Sequence, residues 1–299
     1  MTEGTKNPAR AAGRWKWGAH LWALARETPV GAIGVMITLG WILIALGAPI
    51  LAPFAPNATL DPYAMPGTAA SEGGGFWGGV FWLGTDHIGR DILSRIIWGS
   101  RTVLFYATLA TVSAYITGIA MGLTAAYFRG WVDELLSSFS NLVLAFPPLV
   151  LYILIIRLFG SSGLNIILAV TIASAPLVMR ITRGLVLDVR DLDYVSAAQM
   201  RGEPSFFIML VEIMPNVRGP LIVEACLRMG YVILIIGVLG FLGLGLPPPD
   251  PDWGGMVSET RSMALAFPHM VLFPCLAISS LVLGLNLLAD GFRELSLRP

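Results

Sequence analysis

Six apolar stretches alternate with polar segments along the chain. They cover residues 30–52, 102–128, 135–156, 164–179, 219–246 and 267–289. A helix needs about 20 residues to cross the roughly 30 Å hydrocarbon layer of a bilayer. Because most of the stretches reach that length, the pattern predicts an all-α, polytopic membrane protein with six transmembrane helices.

Glycines and prolines modify several of these predicted spans. Gly118 and Gly122 lie on one face of the second span, at a spacing that favours close packing against another helix. The glycine-rich run 237–245 of the fifth span predicts the same. In the third span, Pro147 and Pro148 remove backbone donors and predict a bend. The bend is either a packing kink or the wall of a water-filled path, where freed carbonyl groups are tolerated.

The fifth span contains a pair of charged residues. Glu224 and Arg228 are one helical turn apart, in the order that favours an ion pair. Ionisable groups at membrane depth are costly and usually face partners or a wet cavity. The pair therefore either lines such a cavity or neutralises itself at the interface, since it starts five residues into the stretch.

The longest polar segment of the first half is residues 53–101. Its first part is rich in proline and glycine and predicts a loop. Its second part has isoleucines at helical spacing opposite polar residues, with Thr85 or Asp86 as a cap and Asp91 paired with Arg95. This predicts a helix that lies flat on the bilayer. In a later proline-rich loop, Trp253 is expected at the membrane interface.

A second polar segment, residues 191–216, predicts two short helices joined by a corner. Asp191 or Asp193 is suited to cap the first helix. Gly202 suits the left-handed position that ends it. Pro215 either ends the second helix or marks the start of the fifth span.

Composition supports a membrane protein and excludes several other classes. Hydrophobic residues make up 56% of the chain and charged residues 13%, against roughly 45–50% and 25% in soluble domains. The formal net charge of zero argues against a nucleic acid partner. Lys6 and Lys16 are the only lysines, so no phosphate-binding P-loop exists in this chain. Cys226 and Cys275 both lie in apolar stretches and are expected to be packing residues.

The segment 191–216 resembles the EAA loop of the membrane subunits of bacterial ABC importers. Ala197-Ala198 is followed by Gly202 four residues later and Pro215 thirteen residues after that. The surrounding residues are most similar to the dipeptide/oligopeptide (peptide/nickel) permease branch, as are the segments 84–91 and 241–254. Ser196 stands where that family usually has glutamate.

The resemblance implies a type I ABC importer-like permease fold and a bacterial inner-membrane location. It implies a homologous permease chain as heterodimer partner, two ATP-binding subunits or domains and an extracytoplasmic substrate-binding protein. ATP and magnesium would be bound by those partners, and this chain would be neither an enzyme nor a metal protein. The permease domain would be 30–299, with a coupling loop at 185–218 and a periplasmic excursion at 53–101. The residues expected to contact the ATPase are Tyr194, Ser196, Ala197, Ala198, Gly202 and Pro215, and those expected along the path are Pro147, Pro148, Glu224 and Arg228.

Cation counts predict the orientation. If the N-terminus is cytoplasmic, six spans return the C-terminus to the cytoplasm. Cytoplasmic segments then carry 13 cations and external segments 5, as the positive-inside rule requires. The cytoplasmic set is Lys6, Arg10, Arg14, Lys16, Arg26, Arg129, Arg180, Arg183, Arg190, Arg201, Arg218, Arg293 and Arg298, and the external set is Arg90, Arg95, Arg101, Arg157 and Arg261. Residues 1–29 are expected to form a tail and an interfacial helix.

The residues leave other functions open. Peptides are the expected cargo, but nickel and oligosaccharide importers belong to the same branch. A membrane-embedded serine hydrolase would use Ser161 or Ser162 with His269. A channel is a third alternative, although no span resembles a selectivity filter.

Overall fold

Helices make up most of the computed structural model, which describes residues 28–71, 79–247 and 250–297. The predicted N-terminal tail and interfacial helix therefore lie outside the described residues, apart from Thr28 and Pro29. The helices are α1 Pro29–Leu46, α2 Ala48–Leu51, α3 Ile92–Phe128, α4 Gly130–Leu144, α5 Pro148–Phe159, α6 Gly163–Val189, α7 Asp193–Met200, α8 Ser205–Phe207, α9 Met214–Phe241, α10 Trp253–Thr260 and α11 His269–Leu297. Strands β1 Thr68–Ala69 and β2 Val80–Phe81 form a small antiparallel ladder in the first polar segment.

Five of the helical segments are long and apolar enough to cross a membrane, and a bent pair makes a sixth candidate. The bent pair is α4 and α5, whose axes differ by 89°. The predicted third span is therefore two helices and not one bent helix, because Pro147 and Pro148 end the helical hydrogen bonding of α4. Polar residues extend several spans beyond the predicted bounds, at the start of α3, the end of α6 and the end of α11. Two spans end earlier than predicted, since α1 ends at Leu46 and α9 ends at Phe241.

The prediction that the first polar segment contains a helix lying flat on the bilayer is wrong. Residues from Ile92 onward are the first turns of α3, which continues as one helix for 37 residues. Its cap is Asp91, whose carboxylate accepts from the Ser94 backbone N–H at 2.8 Å, rather than Thr85 or Asp86. Both faces of these turns are buried: Arg95 contacts Glu259 at 3.8 Å, not Asp91, and is shielded from solvent. Protein, and not water or lipid headgroups, covers the polar face.

The close contact predicted for Gly118 and Gly122 is confirmed, and it lies between α3 and α6. A Cβ on Gly118 would lie 2.7 Å from the Ala175 carbonyl oxygen. One on Gly122 would lie 2.6 Å from the Thr182 Cβ and 2.8 Å from the Met179 carbonyl oxygen. Absence of side chains at these two positions lets the two helix backbones approach and pack tightly.

We expect Gly122→Leu to lower the amount of folded protein in the membrane several-fold. The leucine has to displace the α6 backbone, and overpacking of this kind costs about 1–3 kcal/mol. Membrane-fraction blots and thermal unfolding in detergent measure the effect. Gly40→Ala on α1 is the control, because a Cβ there meets nothing within 4 Å. Equal levels of the Gly122→Leu variant and the wild type would contradict the packing described.

Trp253 lies in the interior and not at the membrane interface as expected. Its side chain is fully buried, and its indole N–H donates to the Ile96 carbonyl at 3.0 Å. Gly99 leaves the space that the ring occupies. The glycine run of the fifth span packs closely as predicted, because Gly240 lies against Asp252 and Gly254 lies against the Gly237 backbone. Helix α10 is thereby fixed between α3 and the end of α9.

Candidate functional site

Residues 190–204, which we name the α7 corner, connect the ends of α6 and α8. The corner contains α7 and a sharp reversal at Gly202, and it ends directly before α8 begins at Ser205. Gly202 has a φ of 77°, in the left-handed region that glycine tolerates. Its N–H donates to the Gln199 carbonyl at 2.9 Å, and the Glu203 N–H donates to the Ala198 carbonyl at 3.3 Å. These two bonds form a Schellman motif, so the predicted left-handed end of the helix is confirmed.

The predicted cap of α7 is wrong. Leu192 occupies the N-cap position and no side chain accepts a hydrogen bond there. Asp191 instead accepts from the Arg190 side chain at 2.9 Å and lies 3.8 Å from Arg129. Asp193 lies in the first turn of α7, where its charge favours the helix dipole without a capping bond.

The inner face of the α7 corner packs on the ends of three long helices. Val195 and Ala198 are fully buried, in a cluster with Leu123 of α3, Val186 of α6 and Val217 of α9. Such a cluster makes the corner and the helix ends move together, because separating them would expose apolar surface to water.

Arg190 ties the corner to α3 by hydrogen bonds. Its guanidinium donates to the Ala126 carbonyl at 2.6 Å and to the Tyr127 carbonyl at 3.0 Å. These are carbonyls of the last turn of α3, which have no partner within the helix. A displacement of α7 is therefore transmitted to α3 through polar contacts as well as packing.

The outer face of the α7 corner is exposed and partly apolar. Ser196 and Gly202 are exposed, Tyr194 and Ala197 are partly buried, and Ala198 faces inward. Large apolar side chains project beside them: Met200 is 84% exposed and Phe206 is 69% exposed. Sequence reasoning missed these two residues, although large apolar residues in a polar segment are a usable signal of a contact surface. The exposed surface has the mixed character of a protein docking site.

The second helix of the segment 191–216 was predicted to be short, and this prediction is wrong. A continuous helical run covers Ser205–Phe241, with a π-helical turn at Ile208–Ile213. In that turn the Met214 N–H donates to the Met209 carbonyl, five residues earlier. The wider turn accommodates Pro215, which has no N–H to donate. Pro215 therefore marks the start of the fifth span, one of its two predicted roles, and does not end a helix.

Glu224 and Arg228 form an ion pair in the middle of that helical run. The Arg228 Nη2 to Glu224 Oε1 distance is 2.5 Å, and the side chains are 17% and 26% exposed respectively. From Pro215, where the fifth span starts, Glu224 lies about 14 Å and Arg228 about 20 Å along the helix, at 1.5 Å per residue.

The ion pair lies on a helix face that the chain itself leaves partly uncovered. Tyr231 and Val238 follow Glu224 at seven-residue intervals and are exposed. The opposite face of α9, at Ile222 and Cys226, borders an apolar groove of about 780 Å³ between α1, α3, α9 and α11. Ionisable groups that face hydrocarbon are costly, so the Glu224 face favours a place beside another protein chain, in a wet cavity or at the membrane interface.

Tyrosines from two other helices lie near the pair. Arg228 interacts electrostatically with Tyr115 of α3 and Tyr152 of α5. Tyr152 is one turn after Pro148, so the α4–α5 bend and the ion pair approach the same part of the molecule. Pro147 and Pro148 are themselves exposed. Sequence reasoning missed these tyrosines, because nothing local shows that residues so far apart in the chain meet.

A charged cluster lies at the opposite end of the bundle from the α7 corner. Arg90 bonds to Asp86 at 2.5 Å and to Glu259. Arg95 is 3.8 Å from Glu259, and its Nε and Nη1 have no hydrogen-bond partner among the described residues. Asp252 caps α10 through the Gly254 and Gly255 N–H groups, both at 3.2 Å. The cluster joins the start of α3 to α10.

We expect Asp252→Asn to reduce the pH dependence of stability. Burial raises the pKa of Asp252 from 3.8 to about 6, with Glu259 adding to the rise and Arg95 opposing it. Because the folded-state pKa is the higher one, this group's contribution to stability is lost as pH rises from about 4 to about 6. A difference of about two pKa units corresponds to about 3 kcal/mol. Asparagine keeps the capping oxygen and removes the charge.

The measurement is thermal unfolding in detergent at pH 5 and pH 7. The drop in midpoint between the two is expected to be larger for the wild type than for Asp252→Asn. Asp61→Asn is the control, because Asp61 is partly exposed in the polar loop. An identical drop in the wild type and the Asp252→Asn variant would contradict the prediction.

The serine–histidine arrangement of a hydrolase is not formed. The Ser161 hydroxyl donates to the Gly245 carbonyl, and the Ser162 hydroxyl accepts from the Asn165 N–H at 3.2 Å. His269 lies instead against Gly84 and bonds to the Thr85 backbone. Both cysteines are free and partly buried, as expected of packing residues. Within residues 28–71, 79–247 and 250–297, no three His, Cys, Asp or Glu side chains are grouped to hold a metal ion.

Residues 118–298 match the family described as binding-protein-dependent transport system inner membrane component. A dipeptide transport system permease protein, DppC, of Alkalihalophilus pseudofirmus is 36% identical over 269 residues, covering 90% of this chain and 86% of the relative. DppC of Haemophilus influenzae is 35% identical and covers 92% of both chains. A glutathione transport system permease protein, GsiD, of Pectobacterium atrosepticum is 36% identical, covering 68% of this chain and 67% of the relative.

Solved structures show the same fold at low sequence identity. A chain of the MetNI methionine ABC transporter in an inward-facing conformation aligns with a TM-score of 0.57 and 14% identity, covering 68% of this chain and 97% of that chain. A chain of an amino acid ABC transporter with histidines aligns with a TM-score of 0.52 and 17% identity. The type I ABC importer-like permease fold expected from the sequence is confirmed.

Proposed function

The chain belongs to the family of binding-protein-dependent transport system inner membrane components, and on that premise we propose that it forms half of the translocation path of an ATP-driven peptide importer. It is a multi-pass inner-membrane subunit of an ABC importer. The peptide cargo is proposed from the dipeptide and glutathione permeases that it resembles. The observation that carries the mechanism is the α7 corner, a bent element packed on the ends of three long helices.

The proposed orientation places the α7 corner and both termini in the cytoplasm. The excess of cations at the end of the bundle that carries the corner supports it. The ATPase subunits that a permease of this family works with are cytoplasmic, so the corner would face them. The cluster of Arg90, Asp252 and Glu259 then lies on the external side.

Coupling would run through the corner to the long helices. ATP binding draws the two ATPase subunits together, and the outer face of α7 moves with the groove that holds it. Met200 and Phe206 extend the contact beyond the residues predicted from sequence. Because Val195, Ala198 and Arg190 fix the corner to α3, α6 and α9, the motion turns helices as rigid bodies. The path then alternates between outward and inward access.

The path itself would pass the face of α9 that carries Glu224 and Arg228. Water or a second protein chain beside that ion pair would avoid the cost of facing hydrocarbon. The exposed α4–α5 bend at Pro147 and Pro148 approaches the same region through Tyr152. A homologous permease chain on this side would close the path, so that the working transporter is a heterodimer of permeases.

The remaining parts of the machine are proposed on partner chains. Two ATP-binding subunits or domains hold ATP and magnesium, and an extracytoplasmic binding protein delivers the peptide. This chain would therefore contribute no catalytic step of its own. Only two lysines, Lys6 and Lys16, occur in it, and neither follows a glycine-rich phosphate loop.

Uptake of a labelled dipeptide by cells or vesicles that contain the complete transporter tests the proposed function. Uptake should require this chain, a functional ATPase partner and the binding protein, and unlabelled tripeptides should compete better than free amino acids. Deletion of the chain with no loss of peptide uptake, in a strain without other peptide importers, would refute the proposed cargo.

A further inference from the structure

A polar cavity of about 490 Å³ lies between α4 and α6, near the end of the bundle that carries the α7 corner. Its walls are formed by Ser137, Ser140 and Asn141 of α4 and by Arg180 and Arg183 of α6. Two cations and three neutral polar side chains make a surface that binds anions. None of these residues was singled out for the transport cycle.

The cavity carries one uncompensated positive charge. Arg183 is neutralised by Asp133, since its Nε and Nη2 each lie 2.6 Å from one carboxylate oxygen. Arg180 donates to the Asn141 amide oxygen at 2.7 Å, and no carboxylate lies within 4.0 Å of it among the described residues. An occupant with a single negative charge would balance the site.

The depth of the cavity matches a lipid headgroup. Arg180 is the eighteenth residue of α6, which places it about 26 Å from the other end of that helix. This is close to one edge of a roughly 30 Å hydrocarbon layer. In the proposed orientation that edge is the inner leaflet.

The side of α4 away from the cavity is apolar and exposed. Trp131 is 75% exposed, and Leu135, Phe139 and Leu142 continue the exposed stripe at helical spacing. Tryptophan at the start of such a stripe is typical of the headgroup level. Polar residues therefore face the cavity while apolar residues on the same short helix face outward.

We propose that this cavity binds the phosphodiester of an anionic phospholipid of the inner leaflet, with Arg180 as its charged ligand. A phosphodiester carries the single negative charge that the site lacks, and the acyl chains of the same molecule fit along the apolar stripe of α4. Basic pockets between membrane helices on the cytoplasmic side bind lipid headgroups in this way. The site rests on the proposed orientation but not on the proposed cargo.

Lipid retention by the complete transporter tests the site. The purified complex is reconstituted in nanodiscs that contain phosphatidylethanolamine and phosphatidylglycerol, extracted again, and analysed by native mass spectrometry for bound phosphatidylglycerol. Arg180→Gln keeps a donor for Asn141 but removes the charge. We expect it to retain about fivefold less phosphatidylglycerol, as the loss of one cation near an anionic surface predicts.

Two variants serve as controls. Arg180→Lys keeps the charge and should retain the lipid. Arg157→Gln removes an exposed cation at the opposite end of the bundle and should also retain it. Equal retention by Arg180→Gln and the wild type would overturn the site.

A competition arm separates a lipid from a soluble anion. Inorganic phosphate or a dipeptide, added at saturating concentration, should leave the bound phosphatidylglycerol in place. If phosphate or the dipeptide displaces phosphatidylglycerol from the wild type but not from the Arg180→Gln variant, the site binds a soluble anion and the lipid proposal is overturned.

Discussion

Gly202→Val is expected to reduce peptide uptake about tenfold while ATP hydrolysis and the amount of transporter in the membrane stay close to wild type. Gly202 has a φ of 77°, and the left-handed conformation costs a residue with a Cβ roughly 1–2 kcal/mol. Valine is therefore expected to open the Schellman motif and change the angle between α7 and α8. The ATPases would still close, but α7 would no longer carry their motion to α3, α6 and α9.

The matched control is Gly184→Val. Gly184 lies on α6, where a Cβ meets nothing within 4 Å and φ is not positive, so uptake should be unchanged. Gly202→Asn should lie between the wild type and Gly202→Val, because asparagine tolerates the left-handed region better than a β-branched residue. Normal uptake by Gly202→Val, or its loss together with the protein itself, would contradict this role for the corner.

The double variant Glu224→Gln, Arg228→Gln is expected to be present at near wild-type levels but to take up peptide at least about tenfold more slowly. Two glutamines one turn apart can replace the ion pair by a hydrogen bond, so the helix bundle survives. In the proposed path the two charges would be available to the charged ends of a peptide, and hydrogen bonds to charged groups are worth about 1.5–3 kcal/mol.

The single variant Arg228→Gln separates a structural role from a transport role. It leaves Glu224 charged without its partner within a membrane span, so the amount of folded protein should fall. If the double variant regains both folded protein and uptake, the pair only stabilises the fold and the proposed path is wrong. If it regains folded protein alone, the pair lines the path.

Local features of the fold could be predicted from the sequence. The left-handed position of Gly202 and the close approach at Gly118 and Gly122 depend on the chemistry of one residue and its helix neighbours. The apolar stretches predict the candidate membrane segments, because hydropathy also depends only on residues that are neighbours in the chain. The resemblance of Ala197 to Pro215 to the EAA loop identified the family, which the comparisons confirm.

Features that depend on distant contacts could not be predicted. An amphipathic pattern shows that the first turns of α3 have a polar face, but not that Glu259, 169 residues from Arg90, covers it. The same limit applies to Trp253, whose partner is Ile96, and to the tyrosines around Arg228. The cap of α7 was mispredicted because packing of Val195 and Ala198, and not a capping side chain, holds that helix.

Co-purification tests the central claim most directly. The chain, tagged at its C-terminus, would be extracted gently from native membranes, and the proteins that accompany it would be identified by mass spectrometry. We expect a related permease chain and P-loop ATPase subunits in a stable complex. Recovery of the chain alone, or only with copies of itself, would contradict the assignment of this chain as one half of a heterodimeric ABC importer.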